Sequence, residues 1–145
     1  MFWLHATLAW LGFAALAVAC GALRVRLLEP LLGEAAAHVT GTLLVCALIL
    51  YGIYLFVGRF VRRTGLSATN RRDRCRLLAL GLFWTLATVA FEFGFGHYVL
   101  GHPWARLLAD YNLLAGRIWV LVLLTLYAGP RLAARVIDRR ARRRN

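Results

Sequence analysis

The apolar residues of this chain are gathered into four blocks separated by short charged stretches. A helix that crosses a bilayer needs about 20 consecutive, mostly apolar residues. Three blocks meet that length outright: WLHATLAWLGFAALAVACGAL from Trp3, HVTGTLLVCALILYGIYLFVG from His38, and LLALGLFWTLATVAFEFGFGHYVLG from Leu77. The fourth, RIWVLVLLTLYAGP, runs only from Arg117 to Pro130. At 1.5 Å per residue it would cover about 21 Å of a ~30 Å core, so the span is expected to start near Leu113, with Arg117 roughly one turn inside. With 61% hydrophobic residues, against about half in a soluble domain, the sequence predicts an all-α, four-helix membrane bundle. It forms a single domain with spans near 3–23, 38–58, 77–99 and 113–131. An arginine-rich tail, 132–145, is expected to be partly disordered.

Charge placement supplies the orientation. All 18 basic residues are Arg, against 6 acidic residues, for a net charge of +12. Fourteen of the arginines fall in two segments, the loop GRFVRRTGLSATNRRDRCR and the tail after Pro130. With four spans these segments share one side, and the positive-inside rule makes that side cytoplasmic. Both termini are then inside, in the inner (plasma) membrane of a bacterium. Arg62, Arg63, Arg71 and Arg72 are expected on anionic lipid headgroups. Nucleic acid is not expected as a partner, because the charge lies where membrane topology would put it. A signal peptide competes for the first block, where AVAC at 17–20 resembles a lipoprotein cleavage box. No Lys or Arg precedes the block, however, so the positive n-region is missing.

Within the first block, Ala15/Ala19 and Ala17/Gly21 have the spacing that lets membrane helices approach closely. Cys20 and Cys46 fall inside apolar blocks and read as small hydrophobes. Three cysteines without CxxC spacing make no disulfide or metal framework.

The polar residues inside the oil point to a site. Gly81, Thr85, Thr88, Glu92 and Gly96 share one helical stripe, which is expected to face other helices or a wet cavity. A carboxylate in hydrocarbon costs about 3 kcal/mol or more and usually has a partner. Arg117 is the expected partner, at matched depth on the next span, either as a helix lock or as part of a working site. Pro103 suits a first helical turn, and the amphipathic PWARLLADYNLL is expected to turn Leu107, Leu108 and Tyr111 towards the membrane. Arg106 and Asp110 pair at i,i+4. His38 and His97 lie at similar depth on different spans. With His102 they form a candidate metal or haem set, although terminal histidines are more often interfacial.

No GxSxG, HExxH, Walker or GxGxxG motif is present, and Ser67 is the only serine. The size, four spans and single membrane carboxylate are similar to the small multidrug-resistance transporters. In those proteins the carboxylate lies in the first helix. Here it is in the third, and no residue carries over.

The expected function is a channel or transporter for a small solute or ion, with a polar site of Glu92, Arg117, His97, Thr88 and Asp110. Two alternatives stay open. One is a metal- or haem-binding redox or accessory protein. The other is a structural or partner-binding subunit without chemistry of its own. A cofactor is expected only in the former. A homodimer is expected, with any pocket between protomers, because four short helices enclose little space.

Overall fold

The structure is a computed structural model describing residues 1–99, 101, 103–109, 111 and 118–143, with the side chains of Arg106 and Ala109 not described. The described elements are all helical. Helix α1, Phe2–Leu23, passes into a π-helical turn, Arg24–Leu28, and then into α2, Glu29–Leu32. Helix α3 is Glu34–Thr64 and α4 is Arg71–Gly94, the latter extended by a second π-helical turn, Phe95–Val99. A short α5, Trp104–Ala109, precedes α6, Val120–Arg142. Four of these helical stretches are long and apolar enough to cross a membrane: 2–32, 34–64, 71–99 and 120–142.

The breaks between helices follow from local chemistry. Gly33 adopts φ +78° between α2 and α3, and Gly65 closes α3 at φ +67° with its N–H on the Val61 carbonyl. Both are left-handed positions that a Cβ disfavours. Asn70 caps α4 by accepting from the Arg72 N–H at 3.2 Å, satisfying one orphan donor of the first turn. The first π turn lies just ahead of Pro30. There the Glu29 N–H reaches back to the Arg24 carbonyl, and Pro30 has no N–H with which to continue the ordinary ladder.

The helices run longer than the apolar blocks. Arg59, Arg62 and Arg63 ride on the end of α3, where a helix C-terminus favours cations, and Arg71 to Arg76 open α4. The loop between them shrinks to 65–70. Helix α6 continues through Pro130 to Arg142, so the helix runs beyond residue 131, where the fourth span is expected to end, and the tail is helical as far as it is described. Among the described residues the fourth candidate span is Val120–Arg142. Its expected start at 113 lies outside the described residues.

Successive long helices are antiparallel. Phe2 packs on Phe60 with ring centroids 4.9 Å apart. Ser67 Oγ donates to Asp138 at 3.0 Å, and Arg140 donates to Tyr54 Oη at 2.9 Å. These contacts bring the start of α1, the α3–α4 loop and the end of α6 to one end of the bundle. The two arginine-rich segments therefore share an end. Arg62, Arg63, Arg71 and Arg72 are all exposed there.

The core joins α3, α4 and α6 through Ile49, Ile53, Leu77, Leu80, Trp84, Val122 and Leu126, with α1 added at the side. Between apolar helices in lipid, close fit rather than transfer from water decides association. A Cβ at Gly81 would overlap the backbone carbonyl of Tyr127, and one at Gly129 would lie 2.8 Å from Ile53 Cδ1. Gly52 admits the ring of Phe13. The close-approach glycines thus lie on α3, α4 and α6. Of the small residues expected to do this on α1, Ala17 packs against the core, whereas Ala15 and Ala19 are exposed and nothing lies within 4 Å of a Cβ built on Gly21. Only 6% of the α1 window is buried, against 33% for α3 and α6. Outward leucines such as Leu8, Leu11, Leu44, Leu55, Leu86 and Leu124 cover the perimeter.

Gly81→Ala is expected to lower the thermal unfolding midpoint in detergent, because the new methyl forces α4 off α6 at an overpacking cost of about 1–3 kcal/mol. Gly12→Ala, with open space around its Cβ, is expected to be neutral or to stabilise by up to about 1 kcal/mol through helix propensity. Equal midpoints for the two variants would contradict the tight α4–α6 contact.

Candidate functional site: a cavity at the end opposite the arginine-rich segments

The polar stripe of α4 faces inward along its length. Gly81 meets the Tyr127 carbonyl. Thr85 Oγ1 donates to the Gly81 carbonyl at 2.8 Å and lies 3.4 Å from the Leu123 carbonyl. Thr88 Oγ1 accepts from the Trp10 indole at 3.0 Å. Gly96 leaves room for Leu107.

Glu92 on the same stripe lines a cavity of 370 Å³ between α1, α3, α4 and α6. Its carboxylate is held from two directions. Trp119 Nε1 donates to Oε1 at 2.5 Å, and the Tyr111 hydroxyl donates to Oε2. Charge-assisted bonds of this kind fix an ionised group more firmly than neutral ones. Tyr111 and Leu107 line the cavity. The segment from Pro103 onward therefore turns these two residues into the bundle rather than towards the membrane, while Leu108 is exposed. The reason is that Glu92 needs donors and Gly96 leaves a hollow for an aliphatic side chain. Phe93 stacks on Tyr111 at 5.6 Å and fixes that ring.

Arg24 and His38 form a second polar point on the cavity wall. Arg24 donates to His38 Nδ1 at 2.9 Å, and its other terminal nitrogen lies 3.7 Å from Glu29 Oε1. A guanidinium only donates, so Nδ1 of this buried imidazole must be the acceptor. Gly41 makes the arrangement possible. A Cβ there would lie 3.1 Å from Arg24 Cδ, so the arginine stem crosses α3 over the glycine. Between these polar points the walls are aromatic and aliphatic, among them Trp10, Phe13, Phe91, Val45, Ile49 and Leu126.

The expected site residues are distributed as follows. Glu92, Thr88 and His38 line the cavity together. His97 does not line it. Its ring stacks on Trp104 at 4.1 Å. Asp110, His102 and Arg117 lie outside the described residues, and so does the expected Glu92–Arg117 pair. Among the described residues no group of three or more His, Cys, Asp or Glu converges as a metal site, and His38 faces the permanent cation of Arg24, which opposes a metal ion beside it. The cavity is enclosed by one copy of the chain, so a second protomer is not needed to build it.

Sequence reasoning missed Arg24, Trp10, Tyr111 and Trp119. Arg24 reads as a loop residue because it follows the first apolar block, yet the helix runs on through it. The available signal was Gly41 at one helical turn from His38, a gap on α3 that a long side chain could fill.

Tyr111→Phe removes one donor to the Glu92 carboxylate and is expected to cost about 1.5–3 kcal/mol of stability. In a Glu92→Gln background the same change is expected to cost clearly less. Thermal midpoints of the four proteins in a double-mutant cycle measure the coupling, and strict additivity would mean that the hydroxyl does not hold the carboxylate. Compared with known proteins, the chain matches no family model, no curated protein and no solved structure.

Proposed function

We propose that the protein is an integral membrane carrier for a small solute. Both termini are cytoplasmic, and the Glu92 cavity is the binding site, open towards the exoplasm. The observation that carries this reading is that Glu92, the only acidic residue well inside an apolar block, lines a cavity instead of facing outward. Charged groups at such depth line substrate paths or pair with other groups. The volume of 370 Å³ falls in the range of small-molecule sites, which are largely apolar with a few placed polar groups.

Orientation is supported by the shared end of the two arginine-rich segments. A carrier is favoured over an open channel because the cavity has a floor. One turn further along their helices, Ile53, Leu80 and Trp84 are fully buried and close the path towards the arginine-rich end. Transport then requires the helices to rearrange around the site, and α1, with the least buried surface, is the wall best able to move.

The native cysteines provide the test. Cys20 lines the cavity, Cys46 lies on a groove between α3 and α6, and Cys75 is exposed at the start of α4. In a Cys46→Ser, Cys75→Ser background, a membrane-impermeant methanethiosulfonate applied to the outer face is expected to modify Cys20. In a Cys20→Ser, Cys46→Ser background, Cys75 should react only when the inner face is exposed. Cys75 reacting from outside would overturn the orientation. A Cys20 unreachable from either face would leave the cavity sealed and favour the reading of a structural subunit.

A further inference from the structure

We propose that the cavity takes a single-chain amphiphile with one anionic head group, the head bound at Arg24 and the apolar body lying towards Ile49 and Leu126. This rests on the carrier reading for its biological meaning and names the class of solute.

Arg24 is built into place from both backbone and side chain. The π turn begins at this residue, and π turns inside helices recur at functional sites. Its stem lies against Gly41, with Cδ and Cγ at 3.1 and 3.3 Å from the position of a Cβ. Among the described residues its guanidinium engages two groups, His38 at hydrogen-bond distance and Glu29 at 3.7 Å. A guanidinium carries five N–H donors, so donors remain for a ligand. The Glu29 contact is longer than a hydrogen bond and partly exposed, with side chains 26% and 28% accessible. A carboxylate or phosphate gripped at two points makes shorter, stronger bonds than this pair.

The rest of the cavity sets the other limits. Phe13, Val45, Ile49 and Leu126 give the body of the ligand an apolar bed. A volume of 370 Å³ is near the low end for small-molecule sites, which suits one chain or a small ring and excludes both chains of a phospholipid. Glu92 bounds the same cavity, so a second anionic group would meet a carboxylate. The site therefore selects a ligand with a single anionic head group.

The test uses the full chain in nanodiscs of uncharged phosphatidylcholine. Decanoate, decanol, decanedioate, decyltrimethylammonium, lysophosphatidic acid and acetate are compared, with protection of Cys20 from the thiol reagent and the thermal midpoint as readouts. Decanoate is expected to protect and to stabilise with at least roughly tenfold higher apparent affinity than decanol, while decanedioate, acetate and the ammonium do not protect. Arg24→Gln should erase the preference for decanoate over decanol, and Arg24→Lys should keep part of it. Stronger protection by lysophosphatidic acid than by decanoate would assign the head to a lipid phosphate, and the reverse would assign it to a free carboxylate. Equal affinity for decanol and decanoate in the parent protein, a preference for the ammonium, or a preference that survives Arg24→Gln would each overturn the proposal. The parent comparison decides even if Arg24→Gln fails to fold. A Cys20 that reacts freely but gains no protection sinks this inference and leaves the carrier reading standing. A Cys20 that never reacts sinks the carrier reading, and the thermal midpoint with decanoate then decides the ligand class by itself.

Discussion

Trp84 holds the first helix to the other three. Its ring is fully buried, packed edge-on against Phe13 at 5.3 Å and Phe56 at 5.4 Å, and its indole donates to the Ala6 carbonyl at 2.9 Å. Ala6 is the one residue of α1 that is buried. A buried indole must find an acceptor, and here it takes one from a neighbouring helix. That bond sets the height of α1 against α4. It places Trp10 one turn on, beside Thr88, and the cavity opens directly above. With α3, α4 and α6 locked by glycines, the space beside α1 is what the fold leaves unfilled.

The site is built from mismatched surfaces. The α4 stripe needs polar partners, and α1 supplies only the Trp10 indole along that side. Glu92 therefore draws Tyr111 and Trp119 across from the segment that joins α4 to α6. Phe93 stacks on Tyr111 and holds that donor against the carboxylate. Arg24 is handled differently, by a glycine that admits its stem and a histidine that accepts its hydrogen bond. One charge of each sign thus faces a mostly apolar chamber, each already held by side chains of this chain.

Much of the architecture was legible in the sequence. Four apolar blocks and two arginine-rich segments of equal parity are coarse signals, and the helices and their shared end follow them. The inward stripe on α4 was legible as well, because Gly, Thr and Glu at spacings of three and four have no other reason to align. What the sequence hid was mostly where helices end. Hydropathy stops at the first arginine, but backbone hydrogen bonding does not, so α3, α4 and α6 run on into charged turns and Arg24 lies on a helix. The close-packing surfaces were also hidden. Alanines on α1 and glycines on the other helices look alike to a spacing rule, and only the partner's shape separates a used contact from an exposed one.

The clasp at Asp138 has a bearing on how such a chain is assembled. Asp138 accepts from Ser67 Oγ and, at 2.9 Å, from the backbone N–H of Ala68, while Asp73 accepts from the Ser67 N–H at 3.2 Å. The turn between α3 and α4 is thus tied to a residue made some seventy positions later. During synthesis that turn exists without its clasp until the last helix has emerged. In that interval the turn is held only from within the α3–α4 hairpin, by Asp73 on the Ser67 N–H and by the Asn70 cap, and the late arrival of Asp138 ties it to the last helix.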